Sequence, residues 1–212
     1  MNQSHRRDDS LASMEKASIT IDEISALVLC GGAGRRFGGA DKPLALFNGD
    51  LGSRPMLDYV IHRLPKQARV FISANRNLDQ YAQRGHVVSD AETGLDETGP
   101  LVGIYAGLVV CPTPWLLVCP GDMPLLPQDW HGPLLTADCA EVGARVLHDG
   151  ERLQSLLCLL PTSLTTALGE YIRTGGKSVK AWHALHHAAT IRVSESQNAF
   201  ANINTEAELD DL

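Results

Sequence analysis

Ile24-Ser25-Ala26-Leu27-Val28-Leu29-Cys30, running directly into Gly31-Gly32-Ala33-Gly34-Arg35-Arg36-Phe37-Gly38-Gly39-Ala40-Asp41-Lys42, sets the fold of this 212-residue chain. A short apolar run that stops at glycines predicts a strand buried on both faces of a sheet. The segment after it holds too many glycines for a helix. Glycines placed there let consecutive backbone N–H groups turn toward an anion, in a concavity that side chains would otherwise block. Arg35, Arg36 and Lys42 add positive charge, and arginine's planar fork matches phosphate oxygens.

Outward from this strand, elements alternate. Helical spacing covers residues 55–64, with Pro55 tolerated in the first turn. RVFISAN (69–75) reads as a strand, LDQYAQRG (78–85) as a helix closed by Gly85, and HVVSD (86–90) as a strand. GPLVGIYAGLVV (99–110) reads as a closely packed helix and WLLVC (115–119) as a strand. Such alternation predicts an α/β domain with a mostly parallel sheet. Further on, residues 140–160 resemble two strands around the turn residues His148, Asp149 and Gly150. Residues 163–176 and 178–187 look helical, 189–193 like a strand, and 204–212 like a capped helix, with Thr205 three residues before Glu208.

Composition limits the function classes. A net charge of −7 gives no global field for nucleic acid or an anionic membrane, so attraction for a phosphate must be local. No apolar run approaches the roughly 18 residues of a membrane span, and the first twenty residues lack a secretory signal's apolar stretch. The expectation is a cytoplasmic protein: a polar, loose extension over residues 1–22, then one domain over 23–212. The five cysteines include no C-x-x-C pair and read as reduced, mostly buried thiols.

Two familiar phosphate loops do not match. Gly32-x-Gly34-x-x has Phe37 at the sixth position of the dinucleotide fingerprint, Gly38 arriving one residue late. Gly176-Lys177-Ser178 ends like a Walker A loop but has Tyr171 where the first glycine belongs, and reads as a helix break. The second chemical signal is Gly121-Asp122-Met123-Pro124, where an apolar strand runs into an aspartate. Ligands in open α/β sheets sit beyond the carboxyl ends of strands, so Asp122 is expected in the same crevice as the glycine loop. One carboxylate plus substrate phosphates is a common way to hold Mg2+. An aspartate opening a turn explains Asp122 about equally well in isolation. His183, His186 and His187 lack the H-E-x-x-H pattern and read as a polar helix face, with Trp182 as an apolar anchor.

LCGGAGRRFGGADKP, SANRN, VVSD, TGPLVGIYAGL, VCPGDMPLLP, HDGERLQSLLCLL and FANINTEAEL occur in that order from about Ile24 to the end. This series resembles the MobA family of molybdenum cofactor guanylyltransferases. The resemblance implies a three-layer nucleotide-binding α/β domain, Rossmann-like and of the nucleotide-diphospho-sugar transferase type. It implies transfer of GMP from GTP to molybdopterin with Mg2+, and molybdoenzyme maturation proteins as partners. Its nucleotide contacts fall on Leu29, Cys30, Gly31, Gly32, Gly34, Arg36, Lys42, Asn75, Asp90, Gly99, Pro100, Leu101 and Asp122. Its catalytic groups fall on Asp122, Lys42 and Arg35, with Asp122 also the metal ligand, and its pterin side on Asn202 and Asn204. Cys30 stands where alanine is usual and Phe37 where methionine is usual, and residues 47–57 form a longer connection than usual. The competing readings are a molybdopterin cytidylyltransferase, a sugar-phosphate nucleotidyltransferase and a non-catalytic nucleotide-binding module.

Overall fold

The computed structural model describes residues 18–31, 41–137, 143–194 and 200. β1 (Ile24–Leu29) lies at the centre. β2 (Leu46–Gly49) and β3 (Gly52–Pro55) form a separate hairpin, followed by α1 (Met56–His62), β4 (Arg69–Ser73), α2 (Leu78–Ala82) and β5 (His86–Val88). Then come α3 (Pro100–Val110), β6 (Trp115–Pro120), α4 (Gly132–Thr136), β7 (Arg145–His148) and β8 (Leu153–Pro161). α5 (Thr165–Arg173), α6 (Val179–Leu185) and β9 (Ala189–Arg192) complete the described elements.

Seven of the described strands make one sheet in the order β5-β4-β1-β6-β8-β7-β9. β5, β4, β1 and β6 are parallel, and β8 alone is reversed, pairing antiparallel with both β6 and β7 while β9 runs parallel to β7. The reversal follows from the tight turn after His148, since only antiparallel neighbours can be joined without a crossover. Asp149 holds that turn. Its Oδ1 accepts the N–H groups of Glu151 (2.9 Å) and Arg152 (2.8 Å), and its Oδ2 accepts from Gln154 Nε2 (2.6 Å). Burial acts to raise the Asp149 carboxyl pKa, but the hydrogen bonds from Arg152, Gln154 and Glu151 outweigh it and lower it.

Alternate residues of β1 explain the continuous apolar run. Ala26 and Val28, with Cys30 just past the strand end, pack with Leu57 and Val60 of α1, Tyr81 of α2 and Leu134 of α4. Leu27 packs into a second core with α3, with Leu168 and Ile172 of α5, and with Trp182 of α6. The result is three layers, with each fully buried aliphatic side chain contributing about 1.5–3 kcal/mol.

The strands and helices read from periodicity over residues 24–193 are all present, while the reading of a helix over 204–212 lies outside the described residues. Four features differ from expectation or add to it. The long connection after the glycine loop folds as the β2–β3 hairpin, clipped to α1 because Tyr59 Oη accepts from Gly49 N (2.8 Å) and the Phe47 and Tyr59 rings meet edge to face at 5.0 Å. Within the segment read as a loose extension, Ile19 packs against the core and its amide reaches Leu135 O at 3.4 Å; residues 1–17 lie outside the described residues. His183 is not on a polar face. It is 2% exposed beside the buried Trp182, with Nε2 2.9 Å from Ser155 O, because α6 turns that side toward β8. Ser178 caps α6 by accepting from Ala181 N (3.2 Å), which accounts for the Gly176-Lys177-Ser178 break.

Candidate active site at the strand ends

The register of the parallel strands builds the site. Leu29 is level with Ser73 of β4 and with Pro120 of β6, and Ser73 is level with Val88 of β5. Four strands therefore end on one line, and the residues just past them share one crevice: Cys30-Gly31, Ala74-Asn75, Ser89-Asp90 and Gly121-Asp122. The ladder continues past the strands, with Cys30 N donating to Ser73 O (2.8 Å), Gly121 N to Leu29 O (2.9 Å) and Ala74 N to Val88 O (3.0 Å). From β1 the chain moves outward through β4 to β5 and then returns to β6 on the other side. The crevice thus lies at the point where strand order reverses, the usual ligand position in such sheets.

Lys42 and Asp122 meet there although 80 residues separate them: Lys42 Nζ donates to Asp122 Oδ2 at 2.6 Å, with the two side chains 17% and 21% exposed. Lys42 opens a single 3-10 turn, Lys42–Leu44, whose Pro43 is buried. Farther along the line, Asn75 and Asp90 form a reciprocal pair. Asn75 Nδ2 donates to Asp90 Oδ2 (2.9 Å), while Asp90 N donates to Asn75 Oδ1 (2.9 Å). Gly31 faces Asn75, since a Cβ built on it would lie 3.8 Å from Asn75 Nδ2.

α3 points its N-terminus at this edge. Gly99 caps it, Pro100 is its first residue, and Leu101 is buried in the core that Leu29 joins. Close approach requires a glycine at 103, where a Cβ would sit 2.4 Å from Ser73 Oγ and 3.1 Å from Leu29 Cδ2. Cys30 is buried against Gly121. Burial, reinforced by Cys119, Asp122 and Asp41, pushes its thiol well above the ordinary range, so it stays protonated and is no nucleophile.

Leu29, Cys30, Gly31, Lys42, Asn75, Asp90, Gly99, Pro100, Leu101 and Asp122 are thus brought to one edge of the sheet. Gly32, Gly34, Arg35, Arg36, Asn202 and Asn204 lie outside the described residues.

Residues 26–190 match the family of MobA-like NTP transferase domains. The chain belongs to that family. It is 42% identical over 207 residues to the molybdenum cofactor guanylyltransferase of Ralstonia nicotianae, covering 92% of this chain and 98% of the relative. The fold is similar to that of molybdopterin-guanine dinucleotide biosynthesis protein A from Archaeoglobus fulgidus (TM-score 0.62, 20% identity, 88% of this chain and 95% of that one). It is equally similar to 2-C-methyl-D-erythritol 4-phosphate cytidylyltransferase from Thermus thermophilus (TM-score 0.63, 14% identity, 88% and 95%). As a MobA-like NTP transferase the protein is a nucleotidyltransferase.

Three residues of this MobA-like site carried no signal in the sequence. Asp41, 4% exposed, accepts from Arg76 Nε and from Asn77 Nδ2 (2.8 Å), linking the segment that carries Lys42 to the loop that carries Asn75. Their positions beside Lys42 and Asn75 were visible, but nothing in their spacing said that they pair.

Proposed function

We propose that this protein transfers the GMP moiety of GTP to molybdopterin, forming molybdopterin guanine dinucleotide and releasing pyrophosphate. The observation that carries the reading is the meeting of Lys42 and Asp122 at 2.6 Å on the aligned strand ends of a MobA-like NTP transferase. The name of the 42% identical relative supports guanine as the base and the molybdenum cofactor as the product.

In the reaction, a terminal phosphate oxygen of molybdopterin attacks the α-phosphorus of GTP. A new P–O bond forms as the bond from the α-phosphorus to the bridging oxygen breaks, and pyrophosphate leaves. The nucleophile is largely ionised near neutral pH, its second pKa being about 6, so no general base is needed. Alignment and charge neutralisation then supply the acceleration. Lys42 binds the triphosphate, with Arg35, Arg36, Gly32 and Gly34 as its further phosphate partners, and the backbone at Leu29, Cys30 and Gly31 lines the guanine and ribose side, next to Asn75 and Asp90. The first turn of α3 from Gly99 and Pro100 to Leu101 closes the nucleotide side, and Asn202 and Asn204 serve the pterin side.

The residues also suit Mg2+. Among the described residues no group of three or more His, Cys, Asp or Glu side chains could hold a metal; at the crevice Asp90 is engaged by Asn75, and Asp122 stands beside Lys42 at the end that takes the triphosphate. That donor set fits an ion carried largely by substrate phosphates rather than a protein cage. Bound to Asp122 and the triphosphate, Mg2+ would supply charge neutralisation. No described helix is long and apolar enough to cross a membrane. We place the reaction in the cytoplasm, where molybdoenzyme maturation proteins would receive the product.

The test is turnover by the purified protein with molybdopterin, Mg2+ and either GTP or CTP, reading pyrophosphate and the dinucleotide product. GTP should be used at least about tenfold better than CTP, a margin of about 1.4 kcal/mol. Preference for CTP would reassign the base, and GTP binding without pyrophosphate release would leave a binding module instead.

A further inference from the structure

We propose that Asp41 is a positioning residue for Lys42, an inference that rests on the nucleotide site proposed above. Asp41 is the residue immediately before Lys42, its side chain is 2% exposed, and both carboxylate oxygens are engaged. Oδ1 accepts from Arg76 Nε and Oδ2 from Asn77 Nδ2 at 2.8 Å, the two residues that follow Asn75 in the loop leaving β4. On the other side of Lys42, Pro43 is buried against the end of β6, its Cβ 3.3 Å from where a Cβ on Gly121 would lie. The backbone between these anchors is closed by Leu44 N donating to Asp41 O (2.9 Å). Lys42 therefore stands on a short turn with one foot on the loop after β4 and the other on the turn that presents Asp122.

This arrangement answers a physical problem. A lysine side chain carries about 2 kcal/mol of rotamer entropy, so aiming its ammonium at one phosphate requires at least that its backbone be fixed. A buried carboxylate is costly to keep, and an apolar residue of similar size often serves stability as well or better. With both oxygens occupied and almost no exposure, Asp41 is not placed to touch a nucleotide or a cation itself. What it does is hold the segment bearing Lys42 against the loop bearing Asn75, so that the triphosphate end and the base end of the site move as one body.

The test is a mutant cycle on the full chain, reading kcat and KM for GTP in the pyrophosphate assay together with the melting temperature. Asp41→Asn keeps the volume and removes the charge that Arg76 requires; it should raise KM for GTP about tenfold and lower kcat/KM about 10- to 100-fold. In a Lys42→Ala background the same change should alter kcat/KM less than about twofold, because a residue that acts through Lys42 has nothing left to position. Asn77→Gly guards against a folding failure: Asn77 sits at φ 51, which glycine adopts readily, so only the hydrogen bond is lost. It should lower kcat/KM about 3- to 10-fold and be equally silent without Lys42. Wild-type kinetics in Asp41→Asn, or a loss that adds in full to that of Lys42→Ala, would overturn the proposal while leaving the nucleotide site intact. A Lys42→Ala protein with unchanged KM for GTP would overturn the proposal by removing the site reading beneath it.

Discussion

Replacing Gly121 by alanine pushes a methyl group into the tightest part of the site's foundation. The new Cβ would lie 2.7 Å from Cys30 Sγ and 3.3 Å from both Pro43 Cβ and Val28 Cγ1. Ordinary contact needs about 3.5–4.0 Å, so the sulfur must retreat by roughly 1 Å. Cys30 has little room to do so, being 5% exposed with its amide held by Ser73 O at 2.8 Å. Overpacking of this kind costs about 1–3 kcal/mol, and for a domain of this size each kcal/mol lowers Tm by about 2–4 °C. Gly121→Ala should therefore melt about 2–12 °C below the parent. The displaced groups carry Lys42 through Pro43 and Asp122 through the chain itself, so turnover should fall about 10- to 100-fold. Cys30→Ala removes the obstructing sulfur, and the double variant should regain most of both losses, a coupling of about 1–3 kcal/mol. Thermal melts and pyrophosphate release on the four proteins measure this cycle. A double variant no more stable than the sum of its single changes would refute the packing argument.

Asp122→Asn should cut pyrophosphate release at least about 100-fold with Mg2+ present, while Tm moves little because a partly exposed ion pair adds only about 0–1 kcal/mol; release within twofold of the parent would remove Asp122 from the chemistry. Stability should also fall as the pH drops below 6.5, since burial, opposed by the Ser155 contact and aided by His186, lowers the pKa of His183, and burial opposed by Asp129 lowers that of His131. The sign follows from which state binds protons first: below 6.5 the unfolded chain is protonated at these histidines while the native state is not. Melts from pH 8 to pH 5 check it, and His183→Gln should flatten the decline.

Much of the fold and part of the site are decided locally, and those parts are legible in the sequence. A run such as Ile24–Leu29, apolar at every position but Ser25 and followed after Cys30 by glycines, reads as a strand covered on both faces. The helix beginning at Pro100, the turn at Asp149 and the chemical character of the glycine loop are set by neighbours within a few residues, where propensity and turn chemistry act. Asp122 was legible as a residue at a strand end for the same reason.

Only the tertiary structure decided which strand ends are adjacent. The contact between Lys42 and Asp122 spans 80 residues and exists because β6 pairs with β1 in a register that sets Pro120 level with Leu29. The pairing of Asp41 with Arg76 and Asn77 depends in the same way on β4 lying against the opposite edge of β1, and the burial of His183 depends on α6 settling over β8. The physical reason is common to all three. Periodicity and turn residues report what a segment does with its own backbone, whereas strand order and register are fixed by the burial of two apolar faces at once, a property of the assembled sheet.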